Sequence, residues 1–197
     1  MQQINLNIKL VIFRISDGIL CIYIPDGHLP TEHISQTIPL AEQVENLFSK
    51  TLGTSLSDYY SEQLYTFPND NNEINIVYYV LLANNNNLSA GEQFWVEITS
   101  KTKADHQIIS YALQRLQWKI EYTNVIYSLL PKILTLSDLQ KTYEIILGKK
   151  LDKRNFRKKI LSLNFLKPTG KKRTDNARPA LTYTFTKRAP QLVKVFS

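Results

Sequence analysis

Four side chains on one short segment, Arg154, Asn155, Arg157 and Lys158, carry the most legible chemistry in this 197-residue chain. They sit in the run DKRNFRKKI, where Phe156, Ile160 and Leu163 recur at helical spacing. At about 100° per residue that apolar stripe must turn inward. Arg154 and Lys158 then fall opposite the stripe, with Asn155 and Arg157 on its flanks. Arginine can grip the edge of guanine with two hydrogen bonds and asparagine the edge of adenine, so these positions are expected to read bases. Lys153, Lys158 and Lys159 suit phosphate contacts, which add affinity without sequence information. A second basic cluster follows in Lys171, Lys172, Arg173 and Arg178, on a stretch punctuated by Pro168, Gly170 and Pro179. Such a loop can follow a nucleic-acid backbone or enter a minor groove.

The flanking residues supply the elements that would hold these groups. Ser137 is placed to cap a helix with Gln140 as its partner three residues on, and Leu139, Tyr143, Ile146 and Leu147 form that helix's inward face. Gly148 ends it, and after a short turn Asp152 caps the basic helix. The basic loop lies between Leu166 to Thr169 and the alternating strand Leu181, Tyr183, Phe185. A helix, a tight turn, a basic helix and a basic loop between two strands make the layout of a winged helix-turn-helix, and double-stranded DNA is the expected partner. RNA is a poorer match, because no aromatic platform for stacking single-stranded bases stands beside the basic groups.

Charge divides the chain as these motifs do. Residues 1–121 hold 7 Lys/Arg against 13 Asp/Glu, a net of −6, whereas residues 122–197 hold 17 against 4, a net of +13. An acidic domain over 1–121 followed by a polyanion-binding domain over 122–197 is therefore expected. With 43% hydrophobic and 21% charged residues, the composition is that of a folded globular protein. The single cysteine, Cys21, precludes an intramolecular disulfide and fits a reducing compartment. The N-terminal segment lacks the pattern of a secretory signal, and no run approaches the roughly 18 to 20 apolar residues that span a bilayer. A cytoplasmic protein that makes no membrane contact is the expectation.

The acidic half reads as alternating strands and helices. Leu6 to Ile15 and Ile19 to Ile24 form a hairpin about Ser16-Asp17-Gly18, and a proline-punctuated loop leads to a helix over Pro39 to Leu52. That helix buries Leu40, Val44, Leu47, Phe48 and Leu52, and Gly53 stops it. Strands are expected at Glu62 to Pro68, at INIVYYVLLA and at FWVEI, and then a helical stretch over Ala104 to Leu130. The order implies an α/β layered domain. His28 and His33 lie in one loop without a nearby cysteine or clustered aspartate, too little to predict a metal site.

The run HLPTEHISQTIPLAEQVENLFSKTLG resembles the Nudix signature, which is G, five residues, E, seven residues, then R-E-U-x-E-E-x-G-U with U aliphatic. With Gly53 on the last glycine, the first glutamate falls on Ile38, the R-E pair on Asn46 and Leu47, and the E-E pair on Lys50 and Thr51. Glu42 and Glu45 are off register. Divalent cations need clustered oxygen ligands, so no metal, cofactor or catalytic residue is expected. Together with EQLYTF at 62–67, the run at 105–131, DKRNFRKKI and ARPALTYTF, this chain resembles the Nudix-related transcriptional regulators.

The resemblance implies an N-terminal Nudix-like α/β/α sandwich with a mixed sheet, followed by a C-terminal winged helix-turn-helix. It also implies a homodimer that binds operator DNA and responds to ADP-ribose, a related nucleotide or a sugar. Arg14, Tyr65 and Tyr79 are the candidate effector contacts. The alternative is a Nudix hydrolase of nucleoside diphosphate derivatives with a nucleic-acid-binding tail.

Overall fold

The computed structural model describes residues 4–69, 72–83, 91–98, 105–174 and 179–195. Their packing separates two compact units that meet inside one helix. The first runs to Leu113 and the second from Gln114, with the turn Asp17–Ile19 grouped with the second. The change in net charge, placed after Glu121, comes slightly further along that helix.

In the first unit, β1 (Asn5–Ser16) turns back into β2 (Ile19–Tyr23), followed by β3 (Thr31–His33), helix α1 (Leu40–Leu52), β4 (Tyr60–Asn69), β5 (Glu73–Leu82) and β6 (Trp95–Glu97). The strands order as β4-β5-β1-β2-β6, with β3 also on β1. β1 runs parallel to β5, while β3 on β1, β6 on β2 and β4 on β5 are antiparallel, so the sheet is mixed. Ile8, Leu10 and Ile12 of β1, with Val80 and Leu82 of β5, pack against Val44, Leu47, Phe48 and Leu52 of α1. The alternate residues Val11, Phe13, Val77, Tyr79 and Leu81 are equally buried. That second face carries the start of α2 (His106–Tyr122), whose Tyr111 ring meets Tyr65 and Phe67 of β4. Burial on both faces explains why LVIF and VYYVLL are continuous apolar runs rather than alternating ones.

α1 begins without a side-chain cap, since Pro39 occupies the N-cap. The buried Gln43 does the tying instead: its amide accepts from Ser35 N–H at 2.8 Å and donates to the Ser35 and Ile38 carbonyls at 2.9 and 2.6 Å. This fastens the preceding loop to the helix. At the other end Gly53 takes the left-handed conformation, φ 71°, and returns its N–H to the Ser49 carbonyl.

The expected helix over 104–130 is shorter in the structure. α2 stops at Tyr122, and a 3-10 segment follows at Val125–Leu129. Thr123 turns its hydroxyl back to the Lys119 carbonyl at 2.6 Å and bridges Leu192, while the fully buried Asn124 accepts from Gln191 N–H at 2.7 Å. Apolar periodicity continues through VIYSLL, and the helix ends where Thr123 and Asn124 make these polar contacts.

The second unit continues with β7 (Leu134–Thr135), α3 (Leu136–Leu147), α4 (Lys153–Ser162), β8 (Leu166–Arg173) and β9 (Ala180–Phe185). Its sheet is ordered β7-β9-β8. Leu139, Tyr143 and Ile146 of α3 are buried with Phe156 and Ile160 of α4, and Tyr143 meets Phe156 edge-on at 5.5 Å. Phe165 and Phe185 stack at 5.6 Å beneath the strands.

The α1 terminus gives a direct check. A Cβ in the left-handed region costs about 1 kcal/mol or more, so Gly53→Ala is expected to lower stability by roughly that amount in urea unfolding followed by circular dichroism. An unchanged transition would contradict the assigned terminus.

Candidate nucleic-acid interface and the N-terminal cavity

The basic surface begins with the turn between α3 and α4. Gln140 donates to the Leu151 carbonyl at 2.9 Å, and Glu144 accepts from Leu151 N–H at 3.0 Å, with Gln140 and Lys150 also on its carboxylate. The Leu151 N–H, then the Gln140 amide, hold the Glu144 carboxyl below its ordinary range. Asp152 follows as the N-cap of α4, accepting from Asn155 N–H at 2.8 Å. With Phe156 and Ile160 buried, Lys153, Arg154, Asn155 and Lys158 are exposed. Leu163, expected in the core, is a half-buried C-cap residue.

No acid follows Asp152 in α4, while Lys153 and Arg154 stand in its first turn. Cations there oppose the helix dipole and cost stability, by roughly 0.3–1 kcal/mol each. These cations are therefore not placed for the stability of the helix.

Two expected nucleic-acid contacts are tethered within the protein. Arg157 is half-buried and donates to Ser137 Oγ at 3.2 Å, so Ser137 positions an arginine and does not cap α3. The cap is Thr135, whose hydroxyl accepts from Asp138 N–H at 3.2 Å while Asp138 accepts from Thr135 N–H at 2.7 Å. Asp138 also receives Arg173 at 2.8 Å, which ties β8 to the start of α3. Burial raises the Asp138 carboxyl, but the Arg173 guanidinium and the Thr135 N–H and hydroxyl outweigh it, and the net shift is downward.

The wing strands pair with a slip. Pro168 faces Tyr183 and Lys172 faces Leu181, so β8 bulges between them. Gly170 sits in that bulge at φ 74°, Thr182 Oγ1 donates to the Lys171 carbonyl at 3.0 Å, and Lys171 and Lys172 are exposed. Arg178 lies outside the described residues. A cavity of about 430 Å³ opens between Thr135–Ser137, Lys153, Arg157 and Pro179, Ala180, Leu181 and Tyr183 of the wing.

The three candidate effector contacts do not converge. Arg14 is 3% exposed, holds Glu92 through both guanidinium nitrogens and lies 4.1 Å above the Trp95 ring. Tyr79 is wholly buried on the opposite sheet face, with its hydroxyl on Glu62 at 3.1 Å, and burial first, then Tyr60 and Glu62, raises its pKa. Tyr65 is exposed at 57%, packed against Phe67 and Tyr111.

A cavity of about 660 Å³ lies elsewhere on this unit. Lys9, Tyr23, the 25–31 loop, Leu47, Lys50 and Thr51 line it. Its size is that of a small-molecule site. Sequence reasoning missed it, although Lys50 and Thr51 are the positions where the Nudix signature carries its paired glutamates. Lys9 is bound to Asp105 at 2.7 Å in the wall, and Asp105 also accepts from Leu29 N–H at 3.1 Å. Lys50 reaches Glu32 at 3.5 Å. Glu45 is engaged by Ser49 Oγ and Leu56 N–H, both at 3.1 Å. Among the described residues no group of three His, Cys, Asp or Glu side chains is arranged to hold a metal.

A mixed-sheet α/β/α sandwich of Nudix type, followed by a winged helix whose second helix is basic and exposed, defines the class to which this chain conforms. Residues 126–185 match the NrtR DNA-binding winged helix domain family. The chain is 35% identical over 96 residues to the ADPR responsive transcriptional repressor NtrR of Acinetobacter baylyi; that alignment covers 46% of this chain and spans 38% of the repressor's length. NrtR of Shewanella oneidensis, solved with a 27mer DNA, superposes with a TM-score of 0.75 at 25% identity, over 92% of this chain and 93% of that one. A MutT/nudix family protein from Enterococcus faecalis shares the fold, with a TM-score of 0.71 at 17% identity over 94% and 89% of the two chains. Among the described residues no helix is long and apolar enough to cross a membrane.

Asp138 joins the cap of α3 to the wing, and Asp138→Asn is expected to cost about 1–2 kcal/mol in urea unfolding near neutral pH. A carboxyl held below its unfolded value stabilises above that value and loses the effect as pH falls through the folded one. The difference between wild type and variant should therefore shrink below about pH 4. A difference independent of pH would contradict the assignment.

Proposed function

We propose that this chain is a transcriptional regulator whose Nudix-like unit, lacking hydrolytic activity, binds a small metabolite and thereby adjusts the hold of the winged helix on operator DNA. The observation that carries it is the first turn of α4, where exposed Arg154 and Asn155 stand beside Lys153 against the helix dipole. The named relatives support it: a repressor responsive to ADPR, and an NrtR solved on DNA. An ADP-ribose-like nucleotide or a sugar is the ligand class.

The working division is an effector-binding part over 1–121 and a DNA-binding part over 122–197, acting as a homodimer in the cytoplasm. Arg154, Asn155 and Lys158 would read base edges, and Lys153, Lys171 and Lys172 would meet phosphates. Arg157 and Arg173 would contact the backbone from positions fixed by Ser137 and Asp138, and Arg178 would extend the wing. On the ligand side, Tyr65 is the exposed candidate, whereas Arg14 and Tyr79 would act as positioning residues from buried sites.

Fluorescence anisotropy on a duplex from the region upstream of the gene, against a random duplex at fixed salt, tests this. Arg154→Ala should remove about 1–3 kcal/mol of preference at one base pair, while Lys172→Ala should weaken both duplexes alike and reduce the salt slope by about 1. Equal losses on both duplexes for Arg154→Ala, or magnesium-dependent turnover of ADP-ribose, would count against the proposal.

A further inference from the structure

We infer that the cavity on the N-terminal unit binds the diphosphate of its ligand directly through the Lys50 ammonium, which takes the place of a divalent cation. This rests on the proposed ligand class and adds how the ligand is held.

A Nudix fold implies magnesium, and the donor set here does not fit it. Hard divalent cations need several oxygen ligands, usually carboxylates. The five positions that carry the signature's charged residues hold Ile38, Asn46, Leu47, Lys50 and Thr51. Of these, Leu47, Lys50 and Thr51 line the cavity itself. A cation such as magnesium would meet an ammonium group there. Glu45, an off-register acid on α1, already accepts from Ser49 and Leu56.

What repels a metal attracts a phosphate. Two lysines face the cavity, which Asp26 and His28 also line, and the lysines differ in how tightly they are held. The Lys9 and Asp105 side chains are only 16% and 11% exposed and in contact at 2.7 Å, so that charge is neutralised within the wall. The Lys50 side chain is 75% exposed, and its pairing with Glu32 at 3.5 Å is a weak surface contact that an anion can replace. Thr51 spends its hydroxyl proton on the Leu47 carbonyl at 2.6 Å, which leaves Lys50 as the cationic donor on this wall. Lys50 also stands in the last turn of α1, where the helix dipole favours a cation. In a hydrolase the metal serves both to hold the diphosphate and to activate water. A lysine can do the first and not the second, so the cavity would retain a nucleoside diphosphate without cleaving it.

Calorimetric titration of the full chain with ADP-ribose, and separately with inorganic pyrophosphate, tests this in EDTA and in magnesium. Binding is expected in EDTA, with affinity within about twofold of that in magnesium. Lys50→Gln is expected to lose about tenfold or more, the scale of a hydrogen bond to a charged group, and Lys50→Arg to retain most of the affinity. Binding that requires magnesium, or that is undiminished in Lys50→Gln, overturns the inference. So does absence of ADP-ribose binding while anisotropy still shows DNA binding, which leaves the DNA-binding proposal standing. Metal-free ligand binding without DNA binding has the opposite meaning. Thermal unfolding of each variant separates loss of contact from loss of fold.

Discussion

The basic surface of the second unit depends on the rotational phase of one helix. Phe156 and Ile160 must be buried, and that requirement alone sends Arg154 and Lys158 outward. Burial does not fix where the helix begins. The start is set by Glu144 and Gln140 closing on the backbone of Leu151 and by Asp152 capping Asn155, so polar contacts before the first basic residue fix where the basic helix begins. The wing is tied to the same frame through Asp138, which caps α3 with Thr135 and holds Arg173 of β8. The basic helix and the wing are thus aligned by carboxylates, although cations are what they present.

In the first unit carboxylates are absent from the positions where the fold's chemistry would need them. The central strands β1 and β5 are buried on both faces and α1 packs against one of them, so the Nudix architecture persists without its metal ligands. A scaffold needs its apolar stripe and its αL terminus at Gly53, and neither depends on the acids. Loss of the acids leaves a cavity of ligand size whose wall carries a lysine.

Features with strong local causes were legible in the sequence. The longer strands, α1 with its Gly53 stop, the buried face of α3 and the Asp152 cap follow from periodicity and from residues with one dominant conformational role, whereas the short β3 inside the expected 25–39 loop and the two-residue β7 do not. The end of α2 was not legible, because it is set by Asn124 reaching a segment more than sixty residues away. Nor was the cap of α3: S-x-x-Q fits the capping pattern better than Thr135 with Asp138, and only the pull of Arg173 and the fold of β7 select the latter. Arg14 and Tyr79 were plausible as contacts by type, but burial is a property of both faces of a completed sheet. The cavity was hidden for a related reason, since Lys9, the 25–31 loop and Lys50 converge only through the sheet.

The most direct test is coupling between the two units. A labelled upstream duplex is held at its half-saturating protein concentration, and ADP-ribose is added in EDTA while anisotropy is followed. A saturable change in DNA affinity with no consumption of ADP-ribose, abolished or shifted to higher ligand by Lys50→Gln, is the predicted result. DNA affinity that is unaltered at saturating ligand, or an effect that appears only with magnesium as ADP-ribose is hydrolysed, would contradict it.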